Sequence, residues 1–150
     1  MAEAKDKIKV LFLCTGNSCR SQIAEGWAKH LKPDSMDVYS AGIAPGSLNQ
    51  MAVRVMAEAG VDISAQRPKH IEELKDIDFD YVVTVCDNAR ENCPVFPCRT
   101  KHFHKMFEDP TFMVGTEQHI KTEFVKLRDQ MKKFIEKMPK ILENESAVQK

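Results

Sequence analysis

A cysteine and an arginine six positions apart are the first residues in this sequence whose types and spacing could do chemistry. They open and close the segment Cys14-Thr-Gly-Asn-Ser-Cys-Arg20, and Ser21 follows it directly. Arginine presents a planar set of donors suited to a tetrahedral oxyanion, and such positive surroundings are expected to depress the pKa of Cys14. A thiolate beside a bound oxyanion can attack its central atom, and Ser21 can assist by donating its hydroxyl to the sulfur. The segment therefore predicts a nucleophilic site for phosphate or an analogue of it.

The elements around this segment are those that an oxyanion site requires. Residues 8–13 form a mostly apolar run typical of a buried strand, and apolar residues recur at helical spacing from Ser21 until Pro33. The 14–20 loop therefore joins a strand to a helix, and Gly16 is free to take a positive φ that turns backbone N–H groups inward. The N-terminus of the helix adds positive potential at the same place. The residues expected to bind the oxyanion are Thr15, Gly16, Asn17, Ser18, Cys19 and Arg20.

The rest of the chain alternates strands and helices. Strands are predicted at 38–40 and 81–85, with a weaker one at 101–104, and helices at 48–59 and 120–138. This alternation is typical of an α/β fold, which we expect to be a single domain over residues 1–150 with three α/β/α layers and a four-stranded parallel sheet. Ligands bind such sheets at the carboxyl ends of the strands, where Cys14 and Cys86 each end a predicted strand. Residues beyond Leu142 are expected to fray.

Composition excludes several classes of protein. The 150 residues carry 22 basic and 22 acidic side chains, and this zero net charge argues against nucleic-acid binding. The apolar run at 10–14 is too short for a signal peptide, and no stretch approaches the roughly 20 residues that cross a bilayer. Five cysteines, an odd number, argue against a disulfide framework. We therefore expect a soluble, cytoplasmic protein with thiol chemistry.

The motif at 14–22 together with Ala24-Glu-Gly-Trp27 resembles the low-molecular-weight tyrosine phosphatase fold, and within it the thioredoxin-coupled arsenate reductases. The likeness extends over most of the chain, through the 39–42, 82–86 and 93–94 segments to Asp109-Pro110 and the last helix. Phosphatases of this fold usually have proline after the Arg-Ser pair, where this chain has Gln22. They generally lack a cysteine pair such as Cys86 and Cys93.

The resemblance implies a relay of three cysteines. Cys14 attacks arsenate, Asp109 protonates the departing oxygen, and Cys86 then attacks Cys14, so that arsenite leaves and a disulfide forms. Cys93 resolves that bond, and thioredoxin reduces the Cys86–Cys93 disulfide, so no bound cofactor is required. Because Asp109 precedes Pro110, we expect it in an extended loop conformation.

The segment between Cys86 and Cys93 is polar and lacks glycine and proline, which favours a short helix in the reduced state. Seven residues of helix would set the two cysteines about 10 Å apart along the axis, whereas a disulfide needs Cα atoms about 5.5–6 Å apart. Oxidation should therefore unwind this helix.

The resemblance also implies a cation site, because these reductases often bind potassium through an Asn, a Glu, a Ser and an Asp. The first three match Asn17, Glu25 and Ser40, but Lys69 stands where we expect the Asp. A fixed ammonium there would replace the ion, so we expect no potassium dependence and no bound metal. A zinc site among the cysteines of 86–98, His102 and His104 is disfavoured because their spacings fit no zinc clamp.

Two other functions stay open at this point. The chain could be a phosphatase that acts on phosphotyrosine or a small phosphomonoester through Cys14, Arg20 and Asp109. It could also be a non-catalytic oxyanion or redox sensor with a switchable disulfide. The expected partners are thioredoxin and an arsenate or phosphate oxyanion, and the expected oligomeric state is a monomer.

Overall fold

A computed structural model describes residues 7–145 and contains a fully parallel four-stranded sheet. Its strand order is β2-β1-β3-β4, and the strands are β1 (Ile8–Cys14), β2 (Met36–Gly42), β3 (Tyr81–Thr84) and β4 (Lys101–His104). Residues 10–13 of β1 have no exposed surface. Because consecutive side chains of a strand point to opposite faces, both faces of the sheet must be covered. The predicted three-layer α/β architecture is confirmed.

Five α-helices accompany this sheet in the described range, namely α1 (Arg20–Leu31), α2 (Gln50–Glu58), α3 (Asp87–Glu91), α4 (Glu117–Glu136) and α5 (Lys140–Glu145). Helix α4 packs against α1, where the indole of Trp27 donates to the carbonyl of Arg128 at 3.0 Å. Leu142 is fully buried, and α5 continues for three residues beyond it to Glu145. The remainder of the segment expected to fray is not described. Residues 146–150 lie outside the described range. No helix among the described residues is long and apolar enough to cross a membrane.

The strand order positions two cysteines at one edge of the sheet. From β1 the chain crosses to the edge strand β2, and it then returns to the opposite side of β1 as β3. Loops that leave β1 and β3 therefore diverge and open a crevice at the carboxyl ends of these strands. Cys14 ends β1, and Cys86 lies just beyond β3 at the start of α3. The sequence-based placement of Cys14 and Cys86 is confirmed in this respect.

Candidate active site

The backbone of the 14–20 loop is oriented by residues 43–49, which follow β2. Four loop carbonyls accept hydrogen bonds from N–H groups of that segment, at 2.8 to 3.1 Å. In a trans peptide unit the C=O and the N–H point in opposite directions. Because these four carbonyls point outward to residues 43–49, the N–H groups of the same peptide units face the concave side of the loop. One of them, the N–H of Asn17, donates to Cys14 Sγ at 3.2 Å. The four carbonyls belong to Cys14, Thr15, Gly16 and Ser18.

The turn in this loop is made by Asn17, which has a φ of 49°. The expectation that Gly16 takes the positive φ is therefore wrong. Asparagine tolerates this region better than most residues, and buried Gln22 supports it by donating to the Asn17 carbonyl at 2.9 Å. Gln66 in turn donates to the side-chain oxygen of Gln22 at 2.8 Å. A proline at position 22 would have no such donor.

A chain of hydrogen bonds directs the Ser21 hydroxyl to the sulfur of Cys14. Ser40 Oγ donates to Glu25, and Asn17 Nδ2 donates to Ser40 Oγ at 3.0 Å and to Ser21 Oγ at 2.7 Å. Since Ser21 Oγ accepts from Asn17, its own hydrogen is available to Cys14 Sγ, which lies 2.9 Å away. This is the contact that the sequence predicts for Ser21.

Burial raises the pKa of the Cys14 thiol, contrary to the sequence-based expectation. Cys14 is 2% exposed at the end of an interior strand, and removing a thiolate from water is costly. Hydrogen bonds from Ser21 and Asn17, and then the charge of Arg20, lower the pKa by less than burial raises it. The guanidinium of Arg20 is directed at the carbonyl of Phe107, to which it donates at 3.1 Å. The sequence pattern reveals the positive groups but not the burial that opposes them.

Asp109 lies beside Arg20 at the edge of the loop. Its backbone is extended, with φ −97° and ψ 105°, as its place before Pro110 predicts. One carboxylate oxygen is 3.3 Å from Arg20 Nη2, and the other accepts from the N–H and hydroxyl of Thr111 at 2.9 and 2.6 Å. The structure thus brings a carboxyl group to the residue expected to hold the oxyanion.

Cys86 contacts the loop through Thr15. Its Sγ lies 3.4 Å from Thr15 Oγ1 and accepts from the N–H of Ala89 at 3.4 Å. Asn88 Nδ2 donates to the same Thr15 hydroxyl oxygen at 2.8 Å, which leaves the Thr15 hydrogen available to the sulfur. The sequence predicts only an oxyanion contact for Thr15, because Thr15 and Cys86 lie 71 positions apart in the chain.

The other three cysteines differ in environment, and all five thiols are free. Cys93 is half-buried, and burial raises its pKa to about 11. Cys19 is buried within the loop, and its pKa is raised first by burial and then by the charge of Asp109. Cys98 is exposed. Cys93 therefore follows α3 as a protonated thiol, and Cys19 has the environment of a structural residue.

The residues expected beside a potassium ion do meet, but they do not fit the ion. Asn17 and Glu25 are joined through Ser40, as described above. The ammonium of Lys69, however, donates to the Ser40 carbonyl at 2.9 Å, and Lys29 pairs with Glu25 at 2.6 Å. Burial lowers the pKa of Lys69, whereas the charge of Glu25 raises it. Within residues 7–145 no group of three or more His, Cys, Asp or Glu side chains could hold a metal ion.

The match to known proteins covers the whole site. The chain matches the family model of the low molecular weight phosphotyrosine protein phosphatases over residues 9–147 and belongs to that family. An arsenate reductase of Oceanobacillus iheyensis is 46% identical over 124 residues, which are 81% of this chain and 88% of the relative. The chain therefore groups with the arsenate reductases of the family.

Solved structures agree with this assignment. An arsenate reductase in the phosphate binding state matches with a TM-score of 0.70 at 32% identity, over 87% of this chain and 95% of that chain. A thioredoxin-dependent arsenate reductase of Corynebacterium glutamicum matches with a TM-score of 0.59 at 28% identity, over 89% of this chain and 64% of that chain. The predicted fold and the resemblance to these reductases are confirmed.

Proposed function

We infer that this protein reduces arsenate to arsenite through Cys14, Cys86 and Cys93 and that thioredoxin regenerates it. The observation that carries the inference is the contact of Cys86 with the 14–20 loop through Thr15. Hydrolysis of a phosphate ester needs the loop and an acid, whereas a reduction by thiols needs a second sulfur within reach of the first. Membership among the arsenate reductases supports the same conclusion.

The first step joins arsenic to Cys14. Because burial keeps Cys14 protonated, we propose that the bound arsenate dianion, itself a base, takes the thiol proton. The thiolate attacks arsenic, an S–As bond forms and an As–O bond breaks. The proton that arsenate takes from Cys14 passes through Asp109 to the departing oxygen, which leaves as water. The inward N–H groups of the loop and the guanidinium of Arg20 hold the remaining oxygens.

The next two steps move the oxidation outward. Cys86 attacks Cys14 Sγ, so an S–S bond forms while the S–As bond breaks. Arsenic keeps the electron pair and leaves as arsenite, and the Cys86 proton passes to an arsenite oxygen. Cys93 then attacks Cys86 Sγ and releases the Cys14 thiol, and the dithiol of thioredoxin reduces the resulting Cys86–Cys93 disulfide.

The test is arsenite production with arsenate, NADPH, thioredoxin reductase and a catalytic amount of thioredoxin. We expect repeated turnover by the wild type and by Cys98→Ser, which replaces an exposed cysteine outside the relay. Cys86→Ser should stop turnover. Mass spectrometry after one arsenate turnover without reductant should find Cys86–Cys93 linked. Full turnover by Cys86→Ser, or no arsenite from the wild type, would contradict the proposal.

Two properties follow from this cycle. It needs reduced thiols and a thiol reductant, which supports a cytoplasmic location. One chain carries all three cysteines, so we propose that the monomer is sufficient for activity. Size-exclusion chromatography with light scattering and an activity assay on each fraction would test the second point.

A phosphatase is the second candidate, because the loop belongs to the phosphotyrosine phosphatase family. Such an enzyme would use Cys14, Arg20 and Asp109 but not Cys86. Multiple-turnover hydrolysis of a phosphomonoester that survives Cys86→Ser, together with no arsenite from the wild type, would favour it. A non-catalytic sensor would show neither reaction.

A further inference from the structure

A histidine outside the 14–20 loop connects the sheet to the first residue of α3. His104 ends β4, and its Nδ1 lies 2.7 Å from Thr84 Oγ1, which is its direct partner across the β3–β4 pair. Its Nε2 lies 2.9 Å from Asp87 Oδ1. The imidazole is 14% exposed. We call these two hydrogen bonds the His104 bridge.

The hydrogen-bond directions in this bridge are mutually consistent. If the Thr84 hydroxyl donates to Nδ1, then Nε2 of a neutral imidazole carries the hydrogen that Asp87 accepts. Thr84 is buried in the sheet and supplies a fixed support for the ring. Arg90 lies 3.8 Å from the Asp87 carboxylate, but it belongs to α3 itself and cannot attach that helix to the sheet.

The bridge acts next to the second sulfur of the relay. Asp87 directly follows Cys86, whose Sγ accepts from the first turn of α3 and lies against Thr15. On the loop side, Asn88 and Thr15 hold the start of α3. On the sheet side, His104 holds it through Asp87. Cys86 thus lies between two attachments of α3. One is the contact with Thr15 in the oxyanion loop, and the other is the contact with His104 in the sheet.

We propose that His104 is a positioning residue for the attack of Cys86 on Cys14 and that it acts through Asp87. The proposal rests on the proposed function. In this step the Cys86 and Cys14 sulfurs form an S–S bond, the S–As bond breaks, and arsenic leaves as arsenite with the electron pair. His104 transfers no proton in this step. Its role is to keep Asp87, and therefore Cys86, in place beside the loop. Oxyanion binding at the loop does not depend on it.

The experiment separates oxyanion binding from disulfide formation. In a Cys93→Ser background the relay stops at the Cys14–Cys86 disulfide. The rate of its formation in a single turnover with saturating arsenate is measured by quenching, alkylation and mass spectrometry. Affinity for inorganic phosphate is measured on the same proteins by calorimetry. The variants are His104→Ala, His104→Gln and Asp87→Ala, and the control is His119→Ala at an exposed position of α4.

We expect His104→Ala and Asp87→Ala each to slow disulfide formation about tenfold, because small misplacements of reacting groups are costly. Together they should slow it no more than either alone, since both remove the same bridge. The amide of His104→Gln reaches the position of Nε2 and should restore most of the rate. Phosphate affinity should stay within about twofold in every variant, as should the rate in the control.

Three results would overturn the proposal. Disulfide formation by His104→Ala within about twofold of the parent would show that Cys86 needs no such support. Equal loss of phosphate affinity and rate would show a general role in the fold. Failure of the parent to form the disulfide with arsenate would remove the proposed function and the role of His104 with it. If His104→Ala does not fold, Asp87→Ala decides, because the Asp87 side chain is 54% exposed.

Discussion

Replacing Lys69 with methionine removes the ammonium that supports the 14–20 loop but keeps an unbranched side chain that is only one atom shorter. The backbone N–H of Lys69, which donates to Asn17 Oδ1 at 2.9 Å, is unchanged by this substitution. The bond from Nζ to the Ser40 carbonyl is lost. A hydrogen bond to a charged group contributes about 1.5–3 kcal/mol, and burial of the ammonium, which lowers its pKa, offsets part of that. We expect the free energy of unfolding to fall by about 1–2 kcal/mol and Tm by about 2–8 °C.

The assay compares unfolding and arsenate reduction in KCl and NaCl at equal ionic strength. The stability and activity of the wild type should be the same in both salts, since the ammonium of Lys69 takes the place of a bound potassium ion. Lys69→Asp should be less stable than wild type in NaCl and should recover stability and activity in KCl. The new carboxylate, together with Asn17, Glu25 and Ser40, would complete a site for potassium. A several-fold rise of wild-type activity with potassium, or Lys69→Met as stable as wild type, would refute the reasoning.

Three further predictions concern the reacting groups. Ser21→Ala removes a hydrogen bond that lowers the pKa of Cys14, so alkylation of Cys14 at pH 7 should slow about tenfold; an unchanged pH profile would count against this role. Asp109→Asn keeps an acceptor for Arg20 but cannot donate a proton, so arsenate reduction should fall about 10²- to 10⁴-fold with phosphate binding retained; activity near that of wild type would exclude Asp109 as the acid. Alkylation of Cys93 in the folded, reduced protein should reach half its maximal rate near pH 11 and at lower pH in urea, and identical profiles would contradict the effect of burial. Because the folded pKa lies above the ordinary 9.0, this thiol's contribution to stability is complete below pH 9 and is lost as pH rises through about 11.

The fold could be predicted from sequence where local patterns determine it. The apolar run of β1, the helical spacing of α1 and the alternation of elements gave the parallel sheet and placed Cys14 and Cys86 at one edge. The short β4 gave only a weak signal, because two of its four side chains are exposed.

The parts of the site that sequence analysis missed depend on distant contacts. A glycine in a loop suggests a positive φ at that glycine, but the hydrogen bond from Gln22 places the turn at Asn17. The raised pKa of Cys14 results from burial by the whole sheet. His104 and Asp87 are 17 positions apart on different elements, so no sequence motif joins them.

The half-burial of Cys93 also affects the release of arsenite from the enzyme. Trivalent arsenic binds strongly to pairs and triplets of thiolates, so a site that offered three of them at once would chelate arsenite and inhibit itself. With its pKa raised to about 11, Cys93 is almost entirely protonated at neutral pH and is a weak ligand for arsenic. When arsenite forms, Cys14 and Cys86 are joined in the disulfide, so Cys93 is the one thiol of the relay left to bind it, and the burial of Cys93 weakens that binding.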